Sequence, residues 1–267
     1  AGLRTARRGV VGGGPAASCV ALDGSQQHIT ARASVRVTGI QRRRCIGPML
    51  FVGRFRGILA FGPAGRCLGG CRPDSRASSP MIIIDHESAD ISTPSGPMRV
   101  YVSRPAAPGR YPGVVFFSEI FQVTGPIRRT AAMLASRGLV VAVPEIFHEL
   151  ESPGCVLAYD QAGAERGNAD KVGKPVSAYD ADCGAAFEFL KLHPACTGRL
   201  GAMGICIGGH LAFRAAMHPE CRAAACFYPT DIHKGSLGKG GDDSLSRVRE
   251  IGGELLLIFG RQDPHIP

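Results

Sequence analysis

The chain lacks any apolar run approaching the roughly 18 uncharged residues that a membrane-spanning helix requires. That excludes a helical membrane protein. Cysteine is too sparse for a disulfide-stapled scaffold: ten occur in 267 residues, four within residues 1–80 and six after. Most of the later six lie in apolar or helical stretches, which suits reduced, buried thiols of an intracellular protein. Cys67-Leu-Gly-Gly-Cys71 has no second pair at zinc-finger spacing, so no metal site is expected there. Lysine is absent from residues 1–80, and acids are limited to Asp23 and Asp74 against thirteen arginines. That segment has a net charge of +11 and residues 81–267 one of −2, which together make the formal +9. The basic balance therefore belongs to one segment, and the rest of the chain has no basic patch for nucleic acid.

Residues 1–80, with Gly-Gly-Gly-Pro at 12–15 and Gln-Arg-Arg-Arg at 41–44, show no sustained helical or strand period. They are expected to be disordered: either an Arg-rich, acid-poor organelle transit peptide or untranslated sequence read through into Met81. A nucleic-acid-binding arm is the third reading of the segment. The expected location is cytoplasmic, or mitochondrial or plastid if the segment is a transit peptide. The chain starts at Ala1 rather than Met, and it is expected to be a piece of a longer protein.

From Met81 the pattern becomes that of a folded domain, 81–267. Met81–Asp85 and Met98–Ser103 read as two short strands around the turn 93–97. Gly113–Ser118 and Leu139–Val143 are near-continuous apolar runs, as in strands covered on both faces. Helical spacing marks 126–137 and 176–192, with Gly138 and Pro194 as stops. Further strands are expected at 199–204, 223–228 and 254–259, a helix at 208–217, and an irregular cap at 148–174. Alternating strands and helices imply an α/β fold, a mostly parallel sheet with helices on both faces.

The strongest chemical signal is Gly204-Ile205-Cys206-Ile207-Gly208-Gly209, set between a strand and a helix. It fits a nucleophile elbow with Cys in the place where Ser is commoner. The sharp turn strains the nucleophile's backbone, so small residues are needed two positions before and after. The following helix points its N-terminus at the thiol and should favour thiolate. The Ile207 N–H is aimed where a tetrahedral oxyanion would form.

Tyr111–Phe121, Leu139–Glu145, Gly204–Gly209 and Gly260-Arg261-Gln262-Asp263-Pro264, in this order, resemble the dienelactone hydrolase (carboxymethylenebutenolidase-like) family of the α/β-hydrolase superfamily. The resemblance implies an α/β-hydrolase fold, incomplete at the C-terminus, that cleaves ester or lactone bonds of small molecules without metal or cofactor. It implies Cys206 as nucleophile through a thioester, Glu119 as the cysteine's carboxylate partner and Ile120 N–H as second oxyanion donor. Asp263 takes the place of the acid that orients a histidine, although Gln-Asp-Pro also reads as a plain Asx turn. Arg166 is a candidate for a substrate carboxylate or a solvated loop residue, and His148 is a candidate for the pocket wall.

The family's base follows its acid after another helix and strand, which takes roughly a dozen or more residues. Four residues follow Asp263. His265 is too near Asp263 along the chain, and His210 faces away behind the elbow. The expectation is an enzyme whose histidine lies beyond Pro267, the alternative being an inactive α/β-hydrolase-like binding protein. The strand 254–259 is then expected to present an unpaired apolar edge. Oligomeric state is not legible.

Overall fold

The structure, a computed structural model, describes residues 17–22 (their backbone alone), 81–241 and 243–263. The sheet holds β1 (Ala17–Leu22), β2 (Ile83–Thr93), β3 (Gly96–Pro105), β4 (Tyr111–Phe117), β5 (Val140–Pro144), β6 (Cys196–Ile205), β7 (Cys221–Phe227) and β8 (Glu254–Gly260). The helices are α1 (Gly125–Ala135), α2 (Gln161–Gly173), α3 (Val176–Leu192) and α4 (Ile207–Ala215), with a 3-10 helix at Ser244–Glu250. Strand order is β1-β8-β7-β6-β4-β5-β3-β2. β4 to β8 and β1 run parallel, while β2 and β3 form an antiparallel hairpin on one edge. This is the expected mostly parallel sheet.

The apolar runs divide their side chains between two layers, because successive strand residues face opposite ways. Val114, Phe116, Val141 and Val143 meet Ile127, Ala131, Leu134 and Ala135 of α1 on one face. Val115, Phe117, Val140 and Ala142 belong to the opposite core, with Tyr179, Cys183, Phe187 and Leu190 of α3 and Leu211 and Phe213 of α4. Burying each of the larger chains stabilises the fold by about 1.5–3 kcal/mol, so the core needs no cross-link. All six cysteines of the described domain are free thiols.

Three expectations are corrected. First, the stretch 148–174 contains helix α2. Its buried positions are Gly163, Gly167 and Lys171, so it has no apolar stripe to betray it. Second, β2 and β3 are longer than expected. Cross-strand pairs Arg99–Asp90 (2.8 Å) and Arg104–Glu87 (2.6 Å) tie the two strands together over the added length, which on β2 runs through the polar stretch from Asp85 to Ser88. Third, β8 is not an open edge: Ala17–Leu22 pairs with Leu255–Gly260 in parallel. A six-residue segment that is apolar apart from Ser18 satisfies backbone groups that β8 would otherwise expose. The other expectations for residues 1–80, and Cys67 and Cys71, lie outside the described residues, as does His265.

No helix of the described residues is long and apolar enough to cross a membrane.

Candidate active site

The carboxyl ends of β4, β6, β7 and β8 lie side by side at one edge of the sheet, which is where an open α/β sheet forms its crevice. Cys206 occupies the junction between β6 and α4, with φ 60° and ψ −121°. This conformation is strained for a residue with a Cβ and costs on the order of 1–3 kcal/mol. It is held by two backbone bonds to the β7 side: Cys206 N–H donates to Phe227 O (3.0 Å), and Thr230 N–H to Cys206 O (3.4 Å). The flanking glycines are required by contact. A Cβ on Gly204 would stand 1.8 Å from Gly208 O, and one on Gly208 2.3 Å from Phe117 O. The first turn of α4 thus lies directly against the end of β4, and the elbow comes beside Ser118 and Glu119.

The Cys206 thiol is partly exposed and free. Burial pushes its pKa up, and the charges of Glu119 and Asp263 push the same way; the Ile207 N–H and the Lys171 ammonium oppose them. The helix terminus pushes toward thiolate, as expected, but desolvation outweighs it, and the resting group is a thiol. Cys206, Glu119, Asp263 and the Ile207 amide are thereby brought to one place.

Glu119 and Ile120 begin a tight turn closed by Gln122 N–H to Glu119 O (3.1 Å). The Glu119 carboxylate accepts a hydrogen bond from the Tyr159 hydroxyl, which also contacts Thr124 Oγ1 at 2.9 Å. Burial and the Glu119 contact both push the Tyr159 phenol upward. Asp263 sits in the turn after β8, its N–H on Gly260 O at 3.2 Å.

Two expected site residues are engaged elsewhere. The Arg166 guanidinium forms a two-pronged pair with Glu151, whose side chain is 2% exposed. It spends its charge within the cap, where an exposed helix residue met a buried carboxylate that no spacing rule reveals. His148 is turned into a buried cluster: its Nε2 lies 3.1 Å from Asp182 Oδ2 and 3.4 Å from Glu149 Oε1. These three side chains offer ligand-type atoms within 4.8 Å of one another. The cation among them is Lys174, whose wholly buried ammonium donates to Asp182, to Glu149 (2.7 Å) and to Ile146 O (3.0 Å). His210 is fully buried behind the elbow, as expected, with Nε2 2.8 Å from Ser244 Oγ. Burial lowers its pKa to about 4, so it stays neutral at ordinary pH.

Sequence reasoning missed Tyr159, Lys171 and Asp231. Lys171, 11% exposed, is ion-paired to Asp231 in the loop after β7. Its only sequence signal is negative: it falls on the same helical face as two glycines.

Comparisons with known proteins place these features in a family. Residues 98–267 match the model of the dienelactone hydrolase family. The chain is 43% identical over 195 residues to the "Putative carboxymethylenebutenolidase" of Saccharomyces cerevisiae, spanning 69% of this chain and 71% of the yeast protein. It is 29% identical over 161 residues to the carboxymethylenebutenolidase of Pseudomonas putida, spanning 58% and 62% of the two chains. Among solved structures, the "Putative Dienelactone Hydrolase" of Klebsiella pneumoniae shares the fold at a TM-score of 0.52. It is 23% identical and covers 66% of this chain and 85% of its own.

Proposed function

The chain belongs to the dienelactone hydrolase family, and from that premise we propose that it hydrolyses ester or lactone bonds of small molecules through Cys206. The observation that carries the proposal is the strained elbow. The thiol stands at the carboxyl edge of the sheet with Glu119 and Asp263 among the charges acting on it.

The sulfur attacks the carbonyl carbon of the ester, and the carbonyl oxygen takes the charge of the tetrahedral intermediate. Ile207 N–H, already directed at the sulfur's surroundings, and Ile120 N–H at the start of the β4 loop are the donors proposed for that oxygen. Collapse breaks the carbon–oxygen bond, the alkoxide leaves with a proton, and a thioester remains on Cys206. Water then cleaves the thioester, releasing the acid and restoring the thiol. With a lactone, the alkoxide and acid are two ends of one product.

The resting thiol is protonated, so a carboxylate must take that proton as substrate enters. Glu119 is the group proposed for this, and its bond to Tyr159 holds it at the edge of the site in the resting state. Asp263 holds the position from which the family's acid orients an imidazole.

The test is hydrolysis of p-nitrophenyl acetate by the purified protein. Cys206→Ala should remove activity by at least about a thousandfold, the scale on which nucleophiles act. Unchanged hydrolysis by Cys206→Ala would show that another group attacks.

A further inference from the structure

The buried face of α2 consists of Gly163, Gly167 and Lys171, four residues apart, one above another on the helix. A Cβ at Gly163 would lie 2.0 Å from Ala158 O, and one at Gly167 2.5 Å from Ile120 O. The helix backbone therefore rests directly on the loop that follows β4, at the residue beside Glu119. One turn further on comes Lys171, on the same buried face and 11% exposed. The Tyr179 hydroxyl donates to Lys171 O at 3.2 Å and fixes the end of the helix there. The ammonium meets Asp231, a neighbour of Thr230, which bonds the Cys206 carbonyl.

An ammonium withdrawn from water needs compensation. Asp231 supplies it only in part, because the same carboxylate also faces Lys234 at 3.5 Å. Two cations thus meet one carboxylate, the buried Lys171 on one oxygen and the half-exposed Lys234 on the other, and Lys171 is the one whose charge acts on the thiol. The groups facing the thiol are thus Lys171 from α2, Glu119 from the loop after β4 and Asp263 from the turn after β8. Asp231 stands behind Lys171, and neutral His210 lies below on α4.

We propose that Lys171 is a positioning residue that stabilises the thiolate of Cys206 once the thiol proton has left, with Asp231 setting how much of its charge the sulfur feels. The cap helix is held close by its glycines, and its ammonium is linked to the elbow through Asp231 and the neighbouring Thr230, which bonds the Cys206 carbonyl. The idea rests on Cys206 being the nucleophile, and it assigns Lys171 no contact with substrate.

The experiment is the pH dependence of iodoacetamide alkylation at Cys206 in the full chain, read by mass spectrometry on the peptide containing it. It requires no hydrolysis. Lys171→Met should raise the midpoint and slow alkylation at pH 8 about tenfold, the effect of one pKa unit. Lys171→Arg should restore the rate to within about twofold, since charge and reach are kept. Asp231→Asn should move the midpoint down, opposite to Lys171→Met, because it frees the ammonium. An unmoved midpoint in folded Lys171→Met overturns the proposal, as does an upward shift in both variants, which general damage to the cap would produce. If Lys171→Met does not fold, Asp231→Asn still decides: a midpoint unchanged or raised overturns it. Cys206→Ala with full hydrolysis would instead defeat the functional reading, independently of how the alkylation midpoint responds.

Discussion

Replacing Lys174 by Met should unfold the domain at a much lower temperature, and the size of the effect follows from its surroundings. The Lys174 side chain is 0% exposed and that of Asp182 6%. Its ammonium donates to Asp182, Glu149 and Ile146 O, and it lies 5.0 Å from the centre of the Tyr179 ring. Methionine keeps much of the packing but removes the ammonium, leaving the buried Asp182 carboxylate with the His148 ring beside it and no lysine to balance its charge. Breaking a buried pair from one side costs about 3–5 kcal/mol. For a domain of this size, roughly 2–4 °C is lost per kcal/mol, so the melting temperature should fall by roughly 6–20 °C. Circular dichroism melts at fixed pH and salt would measure it. The double variant Lys174→Met, Asp182→Leu should recover a large part of the loss, because the most buried pair is then gone and the remaining carboxylate, Glu149, is 16% exposed to solvent. A single variant melting within about 2 °C of wild type would refute the reasoning. A double variant no better than the single one would do the same.

Gly208→Ala should slow both alkylation of Cys206 and ester hydrolysis by on the order of a hundredfold, since the new methyl would force α4 off Phe117 O and Ser118 O. Wild-type rates in that variant would mean the elbow tolerates movement. Arg166→Ala should loosen the cap without discriminating between carboxylate-bearing and neutral esters, because its guanidinium is committed to Glu151. A KM increase confined to the anionic ester would contradict that. Asp170 has its carboxyl pushed up to about 6, chiefly by burial and also by Glu151. Its folded form holds a proton that the unfolded form has released, so this contribution to stability is present at low pH and lost as pH rises through about 6. Asp170→Asn, which cannot ionise, should therefore gain in melting temperature relative to wild type between pH 5 and 7.5. A constant difference across that range would exclude the mechanism.

Much of the fold could be read along the chain because its core strands and helices carry their own patterns. Val176–Leu192 is helical over the span its apolar spacing predicts, and the same stripe is buried. The apolar residues at helical spacing in 126–137, Ile127, Ala131, Leu134 and Ala135, are those that α1 buries. The elbow was legible because its steric demands fall within five consecutive residues, on Gly204 and Gly208 two places either side of Cys206. What escaped depends on partners distant in sequence. Lys171 and Lys174 lie in a charged stretch that reads as solvated, and only folding brings Asp231, Glu149 and Asp182 against them. Arg166 reads as available until Glu151 is placed beside it. β1 has too short a run to be distinguished from its surroundings without β8.

The glycine underside of α2 also bears on motion. Gly163, Gly167 and Gly173 each weaken a helix by about 1 kcal/mol relative to alanine, so the segment has little tendency to be helical unsupported. Its order is borrowed from docking, and undocking and unwinding become a single event. In hydrogen-exchange terms, the amides of α2 should open together and well before those of α3, which packs Phe187 and Leu190 into the core. The roof of the crevice is then the least protected helix of the domain, free to part from its floor while the sheet beneath stays closed.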